Sequence, residues 1–143
     1  MIPGKLQEIL ALFQGVTESE RREILMGLAG SAKNWEPRRE DFCINEVRKD
    51  AECSDAAGIH LKRVGFGLTV RISLGPEAQT LTRAMAASFC RGLDGCTAQE
   101  IIQVPDEVVT ELAGVELVRQ RSRTAHYLLR RMKEAAAKLA PQD

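Results

Sequence analysis

Gly65-Phe66-Gly67-Leu68-Thr69-Val70-Arg71-Ile72-Ser73-Leu74 is the stretch from which the fold is read. Leu68, Val70, Ile72 and Leu74 alternate with Thr69, Arg71 and Ser73, which predicts a strand with one buried face and one wet face. Upstream, Ile59, Leu61 and Val64 repeat the alternation, and Gly65-Phe66-Gly67 suits a tight turn between two antiparallel strands. A two-stranded hairpin is only marginally stable alone, so helices have to cover its apolar face.

Helical signals lie on both sides of the hairpin. Towards the N-terminus, Leu6, Ile9, Leu10 and Phe13 form one apolar stripe over Lys5 to Gln14, with Gly15 placed to end it. Thr17 and Glu20 form a capping box for a second helix reaching about Ala29, with Ile24, Leu25 and Leu28 inward and Gly30 as its stop. The polar stretch from Ala32 to Ala51 is too long for a structureless connection, so a short helix is expected over Arg38 to Val47.

Towards the C-terminus, Gly75-Pro76 breaks the strand, and a helix over Glu77 to Arg91 turns Leu81, Ala84, Met85, Ser88 and Phe89 to one side. Gly92 and Gly95 close it. A second capping box, Thr97 with Glu100, opens a short helix through Ile101 and Ile102. Pro105-Asp106 starts another, with Val108, Val109 and Leu112 inward and Gly114 at its end. The last helix is expected from about Arg119 to Leu139, using Leu128, Leu129, Met132 and Leu139. The order predicts a single α+β domain over 1–143, a small antiparallel sheet built on a hairpin and packed against several helices.

A chain of 143 residues can bury a proper core. Its 20 basic and 20 acidic residues give no surplus for nucleic acid or an acidic membrane. No apolar run approaches the roughly 18 residues of a spanning helix, and Met1-Ile2-Pro3-Gly4-Lys5 lacks a signal-peptide layout. A cytoplasmic protein with free thiols is expected.

The four cysteines, Cys43, Cys53, Cys90 and Cys96, form no C-x-x-C pair. Cys53 lies in Asp50-Ala51-Glu52-Cys53-Ser54-Asp55, an acidic stretch just before the hairpin. A loop on a rigid scaffold is where a reachable thiol is usually held. Two readings of Cys53 stand on the residues alone: a small buried apolar group, or a sulfur that carries chemistry. Glu52 and Asp55 raise its pKa, which speaks against an independent thiol enzyme and less against an acceptor activated by a partner. Cys90, beside Phe89, reads as core. Cys96 precedes a helix N-terminus that favours a nearby negative charge, and Cys43 is a candidate resolving thiol for Cys53. His60 is expected to face solvent on its strand, and His126 to lie on a wet helix face. Arg119, Arg121 and Arg123 do not help a helix start, so a docking surface is one reading of them.

Placed before a hairpin in this way, Glu52-Cys53 resembles the glycine- or glutamate-cysteine pair of the SufE family. Leu93, Gly95, Thr97 and Glu100 are similar to that family's "leucine, x, glycine, x, threonine-proline-x-glutamate" segment. Leu117 and Arg121 fall where it has "leucine-serine/threonine-proline-x-arginine". The family's serine, valine and aromatic after the cysteine are here Asp55, Ala57 and Gly58.

The resemblance covers most of the chain and implies a SufE-like fold and an accessory protein of iron–sulfur cluster assembly. Cys53 would accept persulfide sulfur from a pyridoxal-phosphate-dependent, SufS-like cysteine desulfurase, activate that enzyme, and pass the sulfur to a SufBCD-like scaffold. Arg121, Glu52 and Asp55 would meet the partner. No cofactor of its own is implied, since the pyridoxal phosphate belongs to the partner, and either a monomer or a homodimer is compatible. The alternative is an interaction module of the same fold that regulates a desulfurase without carrying sulfur.

Overall fold

The computed structural model describes residues 2–38, 41–48, 56–114 and 123–140. Among them are six α-helices and one three-stranded sheet. The helices are α1 (Gly4–Ala11), α2 (Glu18–Gly30), α3 (Thr80–Leu93), α4 (Ala98–Ile102), α5 (Glu107–Ala113) and α6 (Arg123–Leu139). The strands are β1 (Ile44–Arg48), β2 (Ala57–Val64) and β3 (Gly67–Leu74), antiparallel in the order β1-β2-β3. The chain is a mixed α+β protein, as the alternation and the flanking stripes predict.

The hairpin forms where the glycines are. Val64 pairs with Gly67, leaving Gly65 and Phe66 as a two-residue turn. Gly65 has φ +61° and opens that turn, the arrangement whose twist matches paired strands. Ala57, Ile59 and Leu61 of β2 and Leu68, Val70 and Ile72 of β3 supply the buried face. Helices α3 and α6 pack on the sheet, and α1 and α2 lie behind α3. Burying each large apolar side chain here contributes about 1.5–3 kcal/mol. Phe89, Met85 and Leu93 of α3, and Leu128, Leu129 and Met132 of α6, are all essentially solvent-free.

Both capping boxes form. Thr17 Oγ1 accepts from the Glu20 N–H at 3.1 Å while Glu20 accepts from the Thr17 N–H at 3.1 Å. Thr97 and Glu100 do the same at 3.1 and 2.9 Å. A cap of this kind contributes about 1 kcal/mol. Helix α3 begins at Thr80, later than Glu77, because Gly75 to Gln79 forms a turn held by Arg83, which donates to Ala78 O and Pro76 O, both at 3.1 Å.

The outer edge of β3 is covered. Leu68 N–H donates to Cys96 O and Gly95 N–H to Leu68 O, each at 2.8 Å, and the Asp94 carboxylate accepts from Val70 N–H at 2.9 Å. Capped edges of this kind do not recruit further strands.

One expectation is overturned. The length of the connection predicts a short helix over 38–47, whereas the described part of that stretch carries strand β1 and, before it, a 3-10 turn at Ala32–Trp35. Residues 44–48 pair with 57–61, so the connection is ordered by pairing with β2 instead of by a helix of its own.

Candidate functional site

The four residues singled out for function, Cys53, Glu52, Asp55 and Arg121, lie outside the described residues. The strand ends on either side of the cysteine segment are described. Arg48 closes β1 and is the register partner of Ala57, the first residue of β2. Residues 49–56 join two strand ends that sit side by side. Ala56 O accepts from Gly75 N–H at 3.3 Å, so the turn after β3 reaches the same end of the sheet.

Helix α6 ties this end together. Arg131 is 3% exposed, and its guanidinium donates to Glu46 O at 2.7 Å and Ala57 O at 2.8 Å, with Arg48 O at 3.5 Å. Burying a guanidinium costs several kcal/mol unless hydrogen bonds replace its water. The fork geometry of arginine supplies donors in two directions at once. Around it, Lys138 contacts the Glu46 carboxylate, and Arg48 lies 3.9 Å from Glu134. The Arg48 and Glu134 side chains are about half exposed, 51% and 53%, so that pair adds little. Sequence reasoning missed Arg131, yet a signal was there. It is a cation among the inward positions Leu128, Leu129, Met132 and Ala135 of α6, where only an apolar side chain or a satisfied ion fits.

On the opposite face of the sheet, Asn45, His60 and Ser73 join the three strands. Ser73 Oγ lies 2.8 Å from His60 Nε2, and His60 Nδ1 lies 2.7 Å from Asn45 Oδ1. Because the Asn45 oxygen accepts, Nδ1 carries the proton, and Nε2 accepts from the Ser73 hydroxyl. Phe42 closes over the imidazole edge, 5.8 Å between ring centroids. His60 is only 7% exposed, against the expectation of a solvent-facing strand residue, and burial lowers its pKa. Gly58 makes the room: a Cβ there would stand 2.3 Å from Ser73 Oγ and 2.8 Å from His60 Nε2. His126 is partly buried, and its neighbour Tyr127 stacks with Arg130 at 5.2 Å.

The cysteines separate by environment. Cys90 is fully buried, and that burial pushes its thiol far above the ordinary range. Cys96 is also buried, and its pKa is raised, first by burial and then by Glu100. The acidity that a helix N-terminus would lend Cys96 is therefore outweighed. Cys43 is a free, exposed thiol just before β1. Arg123 is exposed at the start of α6, while Arg119 lies outside the described residues.

No protein-family model matches the chain, and no curated protein matches it. Among solved structures, the solution structure of a hypothetical protein from Thermus thermophilus is similar to it. That structure has a TM-score of 0.78 at 23% identity, and the match covers 96% of this chain and 97% of that one. A likeness at this identity establishes the shared α+β fold. Among the described residues, no helix is long and apolar enough to cross a membrane.

Proposed function

We propose that this protein is a sulfur carrier, taking persulfide sulfur from a cysteine desulfurase onto Cys53 and delivering it to iron–sulfur cluster assembly. The observation that carries the reading is the pairing of Arg48 with Ala57, which makes a fixed platform of the two strand ends joined by residues 49–56. A thiol on a connection between anchored strand ends can be presented to a partner. Burial with raised pKa removes Cys90 and Cys96 from competition, because the thiolate is the reactive form. The resemblance of Glu52-Cys53, and of the segments around Gly95 and Arg121, to the SufE family supports the same assignment.

The chemistry is thiol exchange on a persulfide. The Cys53 thiolate attacks the outer sulfur of the desulfurase persulfide. One sulfur–sulfur bond forms, the donor's sulfur–sulfur bond breaks, and the donor cysteine leaves as a thiolate. No net oxidation or reduction occurs; one sulfane sulfur changes owner. Pyridoxal phosphate serves the donor enzyme alone. Transfer begins when the partner docks and activates the thiol.

With a desulfurase and free cysteine, intact mass should rise by one sulfur atom, located on Cys53. Cys53→Ser should remove both that gain and the stimulation of the desulfurase. A serine variant that stimulates as well as the native chain would replace the carrier with a regulatory module.

A further inference from the structure

Asn45, His60 and Ser73 do more than join three strands. Asn45 lies opposite His60 in the β1–β2 register, and Ser73 lies opposite Gly58, two residues along β2. The Ser73 hydroxyl donates to His60 Nε2 at 2.8 Å, and His60 Nδ1 donates to Asn45 Oδ1 at 2.7 Å. The Asn45 amide is held in that orientation, because its Nδ2 donates to Phe42 O at 3.1 Å. The imidazole proton is thereby fixed on Nδ1, and the lone pair of Nε2 faces the hydroxyl. A nucleophile, a base within hydrogen-bond reach and a third group that orients the base are the roles by which a reactive serine is recognised, whatever the fold.

The surroundings suit those roles. A Cβ on residue 58 would stand 2.3 Å from Ser73 Oγ, 2.7 Å from Val47 Cγ2 and 2.8 Å from His60 Nε2, so it takes glycine there to let the three converge. Val47 is exposed and Ser73 only half-buried, so this corner of the sheet borders solvent. His60 is buried, which favours the neutral imidazole, the form that can take a proton. Arg71, the charged residue opposite His60 on β3, is held by Asp94 at 2.9 Å and stacks on Trp35.

The backbone narrows the substrate. Leu68 directs its N–H and C=O off the sheet, towards Cys96 and Gly95. Backbone direction alternates along a strand, so Ser73 turns its N–H into the ladder with Gly58. That N–H is not offered to a developing oxyanion, a contact worth about a hundredfold or more in rate. Acyl groups on good leaving groups, thioesters and activated esters, need such support least. Phe42 and Val47 flank the site and favour a short apolar acyl chain.

We propose that Ser73 is a nucleophile for activated acyl groups, with His60 as its general base, and that this face of the sheet carries a slow acyl-ester hydrolase activity. Ser73 Oγ attacks the acyl carbon and gives its proton to His60 Nε2. The bond to the leaving group breaks, and that group departs with the proton. Water then repeats the sequence, releasing the carboxylic acid and restoring the hydroxyl. The proposal uses no cysteine and stands apart from the carrier reading.

The first test treats the native chain with a fluorophosphonate, which labels activated serines, and maps the adduct by peptide mass spectrometry. One adduct on Ser73 is expected. Its rate should be level above about pH 6.5 and fall on acidification, as His60 takes a proton. An unassisted hydroxyl would instead react about tenfold faster with each pH unit, without a plateau. His60→Gln should slow labelling about a hundredfold. The second test follows 4-nitrophenyl butyrate after reachable thiols are blocked with iodoacetamide, and Ser73→Ala should lose at least about tenfold of the turnover. Circular dichroism shows whether each variant is folded, and if His60→Gln is not, the pH profile of the native chain decides. No adduct on Ser73, adducts spread over several serines, a profile without a plateau, native labelling in folded His60→Gln, or ester turnover that survives Ser73→Ala would each overturn the proposal.

Discussion

The two ends of the sheet are closed by different means. At one end β2 returns into β3 through Gly65 and Phe66, a two-residue turn opened by a glycine at φ +61° and followed by Gly67, which backs against the Gly95 carbonyl. Phe66 at its tip is 96% exposed, so nothing in the rest of the described chain leans on it. At the other end residues 49–56 join β1 to β2, and a connection of that length does not fix the spacing of its own ends. There a buried cation from a distant helix grips both strands. A local turn carries its geometry in its own residues, whereas a long connection borrows it from tertiary contacts.

Near the long connection, a large effect should come from Gly58→Ala. The new methyl would stand 2.3 Å from Ser73 Oγ, 2.7 Å from Val47 Cγ2 and 2.8 Å from His60 Nε2, so Ser73 has to rotate away from His60 and Val47 and His60 have to give as well. Crowding together with a broken buried hydrogen bond should cost about 2–3 kcal/mol in denaturant unfolding. The double variant Gly58→Ala, Ser73→Ala sharpens the point. If crowding against Ser73 is the cause, the two costs are less than additive; strict additivity would mean that the strain lies elsewhere.

A smaller loss is expected beside the short turn. Asp94 accepts from Val70 N–H and from Arg71, each at 2.9 Å, and sits next to the Gly95–Leu68 contact that seals the β3 edge. Asp94→Ala leaves a partly buried N–H without its acceptor, at a cost of about 1–2 kcal/mol by thermal or denaturant unfolding. If this variant proves costlier than Gly58→Ala, the turn end depends on tertiary support as much as the other end does, and the contrast between them fails.

The legibility of the sequence follows the same division. Strand β3 and the hairpin are readable because Leu68, Val70, Ile72 and Leu74 alternate with polar residues beside a glycine turn. The capping boxes are readable because their residues act within one turn of helix. Strand β1 is not. Its positions on the α6 side after Ile44 are half-buried Glu46 and exposed Arg48, opposite Ile59 and Ala57, and they meet Lys138, Glu134 and Arg131 of α6 rather than apolar side chains. A strand whose helix-side positions are charged has no period-two apolar signal. His60 is misread for a related reason: β2 is covered on both faces, which no alternation announces. Of the candidate site, the position of Cys53 ahead of the hairpin is visible in the chain. The cation that grips the adjoining strands, eighty-odd residues further on, can be found only once the helix and the sheet have been brought together.

The smallest effect is reserved for the most conspicuous side chain. Phe66→Ser removes an aromatic that is 96% exposed, so the folded state loses almost no buried area. Gly65 keeps its φ, and Val64 and Gly67 keep their pairing. Surface substitutions of this kind change stability by about 0.5 kcal/mol or less. Denaturant midpoints of the native chain and the variant should therefore coincide within error, with equal slopes. A loss of more than about 1 kcal/mol would mean that the ring packs on something in solution, such as a second copy of the chain, and a dilution series of the native protein would then show the midpoint falling with concentration. In that case the turn end would also depend on outside contacts, and self-sufficiency would belong to neither end of the sheet.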